Sequence, residues 1–142
     1  MRILAVDFRN GRYAFALVDG KNLRIMSGPP VKGGFSLLAK AEKAWGLRRR
    51  PPAAIGVLTA TDGERPTWST MRGAVAVANS LAIAWDADVF TLEIGAGDKK
   101  SALAVKLSEA AASAKKGEWA KPPYGGQPNI TKAKDWRVIG AP

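Results

Sequence analysis

Residues 55–85 read IGVLTATDGERPTWSTMRGAVAVANSLAIAW, which is an apolar run, a polar loop and a long segment with almost no charge. The apolar run, taken from Ala53 to Leu58, predicts a strand that is buried on both faces. The loop from Thr59 to Pro66 is rich in turn-forming residues. A helix is predicted to begin at Thr67 or Trp68 and to end before Asp86. The other predicted elements are arranged around this strand–loop–helix unit.

The predicted helix has two unlike faces. No charged residue lies between Arg72 and Asp86, whereas a surface helix normally keeps a charged, solvated side. At about 100° per residue, the bulky side chains form one stripe and small side chains form a ridge on the other side. Either the helix is buried inside its own domain, or it packs a second chain against the ridge. The stripe contains Met71, Val75, Ala78, Ala82 and Trp85, and the ridge contains Gly73, Ala76, Ser80 and Ala84.

The composition excludes several kinds of chemistry. The chain has 142 residues, no cysteine and no histidine. Disulfides, thiolate metal sites, the commonest zinc ligands and every Ser-His or Cys-His catalytic arrangement are therefore absent from this sequence. The length suits one domain. Neither a secretory signal nor a long apolar span is recognisable, so we expect a cytoplasmic protein that does not enter a membrane.

The formal net charge of +10 is distributed unevenly along the chain. Residues 1–50 carry a net charge of +8, residues 51–100 carry −2, and residues 101–142 carry +4. A basic surface attracts polyanions such as RNA. The same charge could serve solubility alone, and the sequence leaves both interpretations open.

The order of the predicted elements is β-β-β-α-β-α-β-α. Asn10-Gly11 and Asp19-Gly20 are hairpin signals that join the first three strands into an antiparallel meander. Helices and strands then alternate, which predicts an α/β fold with a mixed five-stranded sheet. This is the ribonuclease H-like arrangement, equivalent to one half of the actin-like fold. The predicted bounds are Arg2–Asp7, Arg12–Val18, Asn22–Ser27, a helix over Phe35–Trp45 stopped by Gly46, then Ala53–Leu58, the central helix, Asp88–Ile94, and a helix over Asp98–Ala114 capped by Asp98.

Two domains of the chain differ in composition. Residues 1–115 carry all the predicted elements, whereas residues 116–142 contain Pro122, Pro123 and Pro128 and cannot sustain a helix or a central strand. We therefore expect an extended C-terminal tail. Its large apolar side chains are unusual for a freely disordered segment, and we expect Tyr124, Ile130 and Trp136 to dock on the domain or on a partner.

The turn after the first strand matches only part of a phosphate-loop motif. Actin-like ATPases have Asp-x-Gly-Thr/Ser there, and the glycine lets backbone amides approach a phosphate. The corresponding stretch here is Asp7-Phe8-Arg9-Asn10-Gly11, in which Arg9 takes the glycine position. We therefore expect no ATP binding by this chain alone.

Carboxylates at strand ends allow a second hypothesis, a two-metal nuclease. Such an enzyme needs several carboxylates that converge. Asp7 ends the first strand, Asp62 or Glu64 follows the fourth strand, and Asp98 or Glu109 belongs to the last helix. Turn, cap and strand-end hydrogen bonding would explain the same residues without catalysis.

Three stretches resemble the TsaB family, the glycoprotease-like, non-catalytic subunits of the machinery that makes tRNA N6-threonylcarbamoyladenosine. They are MRILAVD, IGVLTA and TWSTMRGAVAVANSLA. The segment Thr67–Arg72 stands for the family's Ser-Phe-Thr-Gly-x-Arg, and Ser80-Leu81-Ala82 stands for Gly-Leu-Ala. The tail from Tyr124 to Lys132 resembles the end of short members. The family's Gly-Pro-Gly loop is replaced by Asp62–Pro66, and the chain resembles a short form without the second domain.

This resemblance implies a partner subunit. A TsaB-like protein has no catalytic residues and no cofactor of its own. It pairs through its first two helices with a TsaD-like subunit, which carries ATP and metal. A TsaE-like ATPase is a further candidate partner, and contact with tRNA is indirect. Without a partner, a homodimer is expected. The implied partner-binding residues are Leu38, Trp45, Trp68, Arg72, Gly73, Ala76, Asn79, Ser80 and Ala84.

Two alternatives remain open beside this resemblance. The N-terminal residues also resemble YqgF, of the RuvC-like resolvase family, which would imply a metal-dependent nuclease that uses Asp7, Asp62 and Asp98. A third alternative is an RNA-binding module without either kind of partner.

Overall fold

The computed structural model describes residues 1–9, 13–28, 35–60, 68–95 and 99–114. Eight elements follow the predicted order. Strands β1 and β5, helices α1 and α2, and the start of β3 agree with the predictions. The bounds are β1 Arg2–Asp7, β2 Tyr13–Asp19, β3 Asn22–Gly28, α1 Phe35–Trp45, β4 Ala54–Ala60, α2 Trp68–Trp85, β5 Asp88–Ile94 and α3 Lys100–Ser113.

The five strands form one mixed sheet in the order β3-β2-β1-β4-β5. Strand β1 pairs antiparallel with β2 and parallel with β4, and β4 pairs parallel with β5. The hairpin turn at Asp19-Gly20 is confirmed, because Asp19 pairs with Asn22 and Gly20 has a φ of 64°. The predicted fold class is therefore correct.

The sheet separates two hydrophobic cores, because successive side chains of a strand point to opposite faces. On one face, Leu4 and Val6 of β1 pack with residues of α1 and α2. On the other face, Ile3 and Ala5 of β1 pack with Leu107 and other residues of α3. Helices α1 and α2 therefore share one side of the sheet, and α3 covers the opposite side.

The C-terminus of α1 is fixed by a glycine and by an arginine from β1. Gly46 has a φ of 60°, and the Leu47 N–H donates to the Glu42 carbonyl at 3.1 Å, which is the hydrogen bond of a Schellman motif. Beneath this turn, the buried Arg2 donates from Nη2 to the Trp45 carbonyl at 2.6 Å and from Nη1 to the Arg50 carbonyl. Its Nε lies 3.4 Å from an Asp19 carboxylate oxygen without an aligned hydrogen bond.

The predicted start of α3 is wrong by two residues. The helix begins at Lys100, and its N-cap is Lys99, which has extended backbone angles and no capping hydrogen bond from its side chain. Asp98, the predicted cap, lies outside the described residues, as do the Asn10-Gly11 turn, the Asp62–Pro66 loop and the tail from residue 115 onward. In the part of the chain that the structure describes, no helix combines the length and the apolar character that a membrane crossing requires.

Candidate protein-binding face

Helix α2 turns its bulky stripe towards the sheet, as predicted. Met71, Val75, Ala78 and Ala82 are all buried in the core that α2 shares with α1 and β1. Ala74 joins them, and Trp85 is half-buried at the end of the stripe. At the C-terminus of the helix, Asp86 takes a left-handed φ of 50°. The inner side of α2 is thus fully used by the domain's own packing.

The opposite side of α2 is open to solvent. Four of its residues, Arg72, Ala76, Ser80 and Ala84, are exposed, and so is Ile83, of which 69% is accessible. We call these five residues the outer face of α2. The interpretation in which the whole helix is internal is therefore wrong for this chain by itself. The helix is two-sided in this structure, with one side in the core and the other accessible to solvent.

The other predicted partner-binding residues lie at different depths. Gly73 is half-buried, and a Cβ atom built on it would lie 4.0 Å from the Phe8 ring, so it sits at the boundary between the ridge and the core. Asn79 and Leu38 are half-buried. Trp45 is only 8% exposed and belongs to the core, so its side chain offers almost no surface to a partner. The side chain of Trp68 lies outside what the structure describes.

Ile83 was missed by the sequence analysis, which selected the outer residues by small size. Its position supplied the signal, because Ile83 follows Ala76 by seven residues and Asn79 by four, and these spacings place it on the same side of a helix. The outer face therefore carries a large, mostly accessible apolar side chain beside three small residues.

Asp7 stands at the carboxyl end of β1, and its charge is matched by Arg9. The Arg9 guanidinium donates to both carboxylate oxygens, from Nε at 2.8 Å and from Nη2 at 3.0 Å, and the Arg9 backbone N–H adds a bond of 3.1 Å. A guanidinium in this position occupies the lone pairs that a divalent cation would need. Asp62 and Asp98 lie outside the described residues. Among the residues that are described, no three Asp, Glu, His or Cys side chains are grouped closely enough to hold a metal ion.

Aromatic rings pack beside the carboxyl end of β1. Phe8 is buried and contacts Tyr13 and Phe15 edge to face, with ring centroids 4.5 Å and 5.9 Å apart. Arg9 and this aromatic cluster stand where the actin-like ATPases keep a glycine-lined phosphate loop. The residues that the structure brings together here are thus an ion pair and a packed aromatic cluster at the end of the strand.

Comparison with solved structures identifies the same architecture elsewhere. YeaZ from Pseudomonas aeruginosa superposes with a TM-score of 0.53 at 18% identity, over 65% of this chain and 43% of YeaZ. A second structure superposes with a TM-score of 0.52, also at 18% identity. It is an uncharacterized protein with similarity to peptidase YEAZ from Pseudomonas aeruginosa. A RuvC from T. thermophilus, in complex with a Holliday junction substrate, gives only 0.46 at 13% identity, too low to argue from. No family model and no curated protein matches the sequence.

The two likenesses to YeaZ and its similar protein show a shared fold, which in this chain is a mixed five-stranded sheet with helices on both faces, as predicted for a ribonuclease H-like or actin-like half. The agreement with YeaZ, which is TsaB, is consistent with the resemblance to short TsaB-like proteins. The chain spans less than half the length of YeaZ.

Proposed function

We propose that this protein is a non-catalytic, TsaB-like subunit that pairs with a TsaD-like catalytic subunit through α1 and α2. The observation that carries the proposal is the outer face of α2. It belongs to a helix whose other side is anchored in the core, it contains one charged residue in five, and it exposes Ile83 to water. An apolar helix face that is left accessible is typical of a protein–protein contact.

The chemistry of this face suits a facing helix. Ala76, Ser80 and Ala84 recur at spacings of four residues, so that a second helix could approach closely along them. Ile83 could then be covered by the partner, and complete burial of such a side chain contributes about 1.5–3 kcal/mol. Arg72 lies one turn from the N-terminus of α2, where it could pair with an acidic residue at the rim.

Helix α1 would extend the contact, because it lies on the same side of the sheet as α2. Its residues Ser36, Ala39 and Ala44 are exposed and small. Leu38 is half-buried and could contribute part of its surface. Trp45, buried in the core, would support α1 from behind and would not touch the partner directly.

Within such a complex, this chain would position and activate its partner. ATP, the metal ion and the transfer of the threonylcarbamoyl group to adenosine in tRNA would belong to the TsaD-like subunit, with a possible TsaE-like ATPase as a third component. Tyr124, Ile130 and Trp136 of the tail could supply further docking. The setting would be cytoplasmic, and in the absence of a partner two copies of the chain would pair through the same face.

Co-expression with a TsaD-like protein tests the pairing. We expect a one-to-one complex in size-exclusion chromatography with light scattering, and a homodimer when the chain is alone at high concentration. A chain that stays monomeric with and without the TsaD-like protein, at concentrations of tens of micromolar, would contradict the proposal.

The nuclease alternative makes an opposite prediction. With Asp7 held by Arg9, we expect no cleavage of branched DNA or of RNA–DNA hybrids in magnesium or manganese. The variants to compare are the wild type, Asp7→Asn and Arg9→Gln, because the last one frees the carboxylate for a cation. Cleavage by the wild type that disappears in Asp7→Asn would overturn the scaffold proposal. Activity that appears only in Arg9→Gln would show that the ion pair suppresses a metal site.

A further inference from the structure

A cluster of basic side chains surrounds the C-terminal end of α1. Three consecutive arginines, Arg48, Arg49 and Arg50, follow the helix, and all are exposed. Arg48 and Arg49 border a cavity of about 580 Å³ together with residues from the last two turns of α1. The lining residues are Ala39, Glu42, Lys43, Gly46, Arg48 and Arg49.

The backbone beneath this cluster is fixed. The N–H groups of Arg49 and Arg50 both donate to the Gly46 carbonyl, at 3.2 Å and 3.0 Å, and Leu47 is completely buried. Arg2 binds the carbonyls of Trp45 and Arg50, which lie at the two ends of the turn. Its guanidinium carries positive charge directly under the exposed arginines. The basic side chains therefore project from a rigid base, which lowers the entropic cost of arranging them around a ligand.

Most of the positive charge at the cavity is available to a ligand. In the described part of the chain, neither Lys43 nor Arg49 forms an ion pair. Arg48 pairs with Glu42, but 85% of the Arg48 side chain is accessible. Such a surface pair is worth little, so a stronger anion could displace it. The Arg50 Nη1 atom lies 3.8 Å from Oδ2 of Asp19, which is not among the residues that line the cavity.

We propose that this cavity binds the phosphate backbone of a nucleic acid, with Lys43, Arg48 and Arg49 as the contacting side chains. Guanidinium groups match the geometry of phosphate oxygens, and several fixed cations release several counterions when a polyphosphate binds. The cavity shares Ala39 with the surface of α1 that we propose to extend the TsaD-like contact. It lies outside the outer face of α2, and the inference is tested on the chain alone, without that pairing.

The lining of the cavity favours a nucleic acid over other acidic partners. Among the described residues that line it, the uncharged ones are Ala39 and Gly46, so this part of the lining has no aromatic or large apolar anchor of the kind that holds a peptide or enters a lipid surface. Pockets for small organic ligands are lined mainly by hydrophobic and aromatic side chains, whereas Glu42, Lys43, Arg48 and Arg49 of this lining are charged. Backbone phosphates need only positioned cations, and these are what the cavity provides.

Binding of a labelled RNA hairpin and of a DNA hairpin of the same sequence tests this proposal with the chain alone. For the variant with Lys43→Gln and Arg49→Gln, we expect an affinity loss of roughly 10-fold near 100 mM salt. The slope of log K against log salt should become shallower by about 2. Both residues are exposed, so the melting temperature should be unchanged. The ratio of the two hairpins' affinities identifies RNA or DNA as the source of the phosphates.

Glu42 provides a test with the opposite sign. Glu42→Gln removes the acidic group among the described lining residues and releases Arg48, so the affinity for the hairpins should rise several-fold. The matched controls lie on α3, on the other side of the sheet. Lys99→Gln with Lys100→Gln removes the same charge as the double variant, and Glu109→Gln matches Glu42→Gln. The proposal is overturned if the controls change the affinity as much as the cavity variants do, or if the wild type binds neither hairpin.

Discussion

Replacing Ala76 by arginine should abolish association with a TsaD-like subunit, and with it the homodimer, while leaving the monomer folded. Ala76 lies at the centre of the outer face of α2 and is exposed in the isolated chain. An arginine there has room in the monomer, and alanine to arginine costs little helix propensity. At a helix–helix contact, the same side chain would force the helices apart or bury an unpaired charge.

The expected size of this effect follows from the cost of the buried charge. Leaving an ion uncompensated in a contact costs about 3–5 kcal/mol. At 1.4 kcal/mol for each factor of ten, the affinity should fall by at least a hundredfold. The free energy of unfolding of the monomer should change by less than about 0.5 kcal/mol, as is usual for exposed positions. Light scattering measures the association, and thermal melting measures the stability.

Ala112→Arg is the matched control for this experiment. Ala112 is an exposed alanine in α3, on the other side of the sheet, so the chemical change is the same and the proposed contact is untouched. If both variants associate normally, the outer face of α2 is not the interface. If Ala76→Arg unfolds the monomer, the face is part of the chain's own packing, and the proposal is equally contradicted.

The regular elements could be predicted because their patterns are long and consistent. The apolar stripe of α2 fixed both its bounds and the side that faces the sheet, and Gly46 marked the end of α1. Strand ends were less certain, because ladder hydrogen bonds and not residue types decide them. Strand β4 continues past the apolar run to Ala60, where it still pairs with Ile94 of β5. The N-terminus of α3 lacks the expected side-chain cap, so residue preference alone misplaced it.

The candidate site could be predicted only where the sequence pattern of a single helix determines it. The exposed ridge of α2 came from periodicity, but the hydrogen bonding at the end of α1 depends on a distant residue. Arg2 lies at the start of a strand, 43 residues before Trp45, and its side chain enters the domain to bind the carbonyls at the end of α1. An arginine beside the N-terminus looks like a solvated charge in sequence. The rigid basic turn at residues 46–50 therefore could not be recognised before the structure.

Replacing Gly56 by alanine should give the largest loss of stability among the single substitutions considered. Gly56 lies in the central strand β4 and pairs with Phe90 of β5. A Cβ atom at this position would lie 2.6 Å from two carbons of the Phe90 ring, well inside van der Waals contact. Phe90 is itself buried beneath α3, in the cluster that includes Leu107 and Ala111, so the ring has little space into which it can retreat.

We expect Gly56→Ala to lower the free energy of unfolding by about 2–3 kcal/mol, at the upper end for overpacking a core. Gly28→Ala in the edge strand β3 is the control, because its added methyl group would meet Leu37 at an ordinary 3.6 Å and should be neutral or slightly stabilising. The double variant Gly56→Ala with Phe90→Leu should lose less free energy of unfolding than the sum of the two single losses. The difference should be about 1 kcal/mol or more. Urea unfolding measures all four variants, and strict additivity would show that the ring does not fill the space above the glycine.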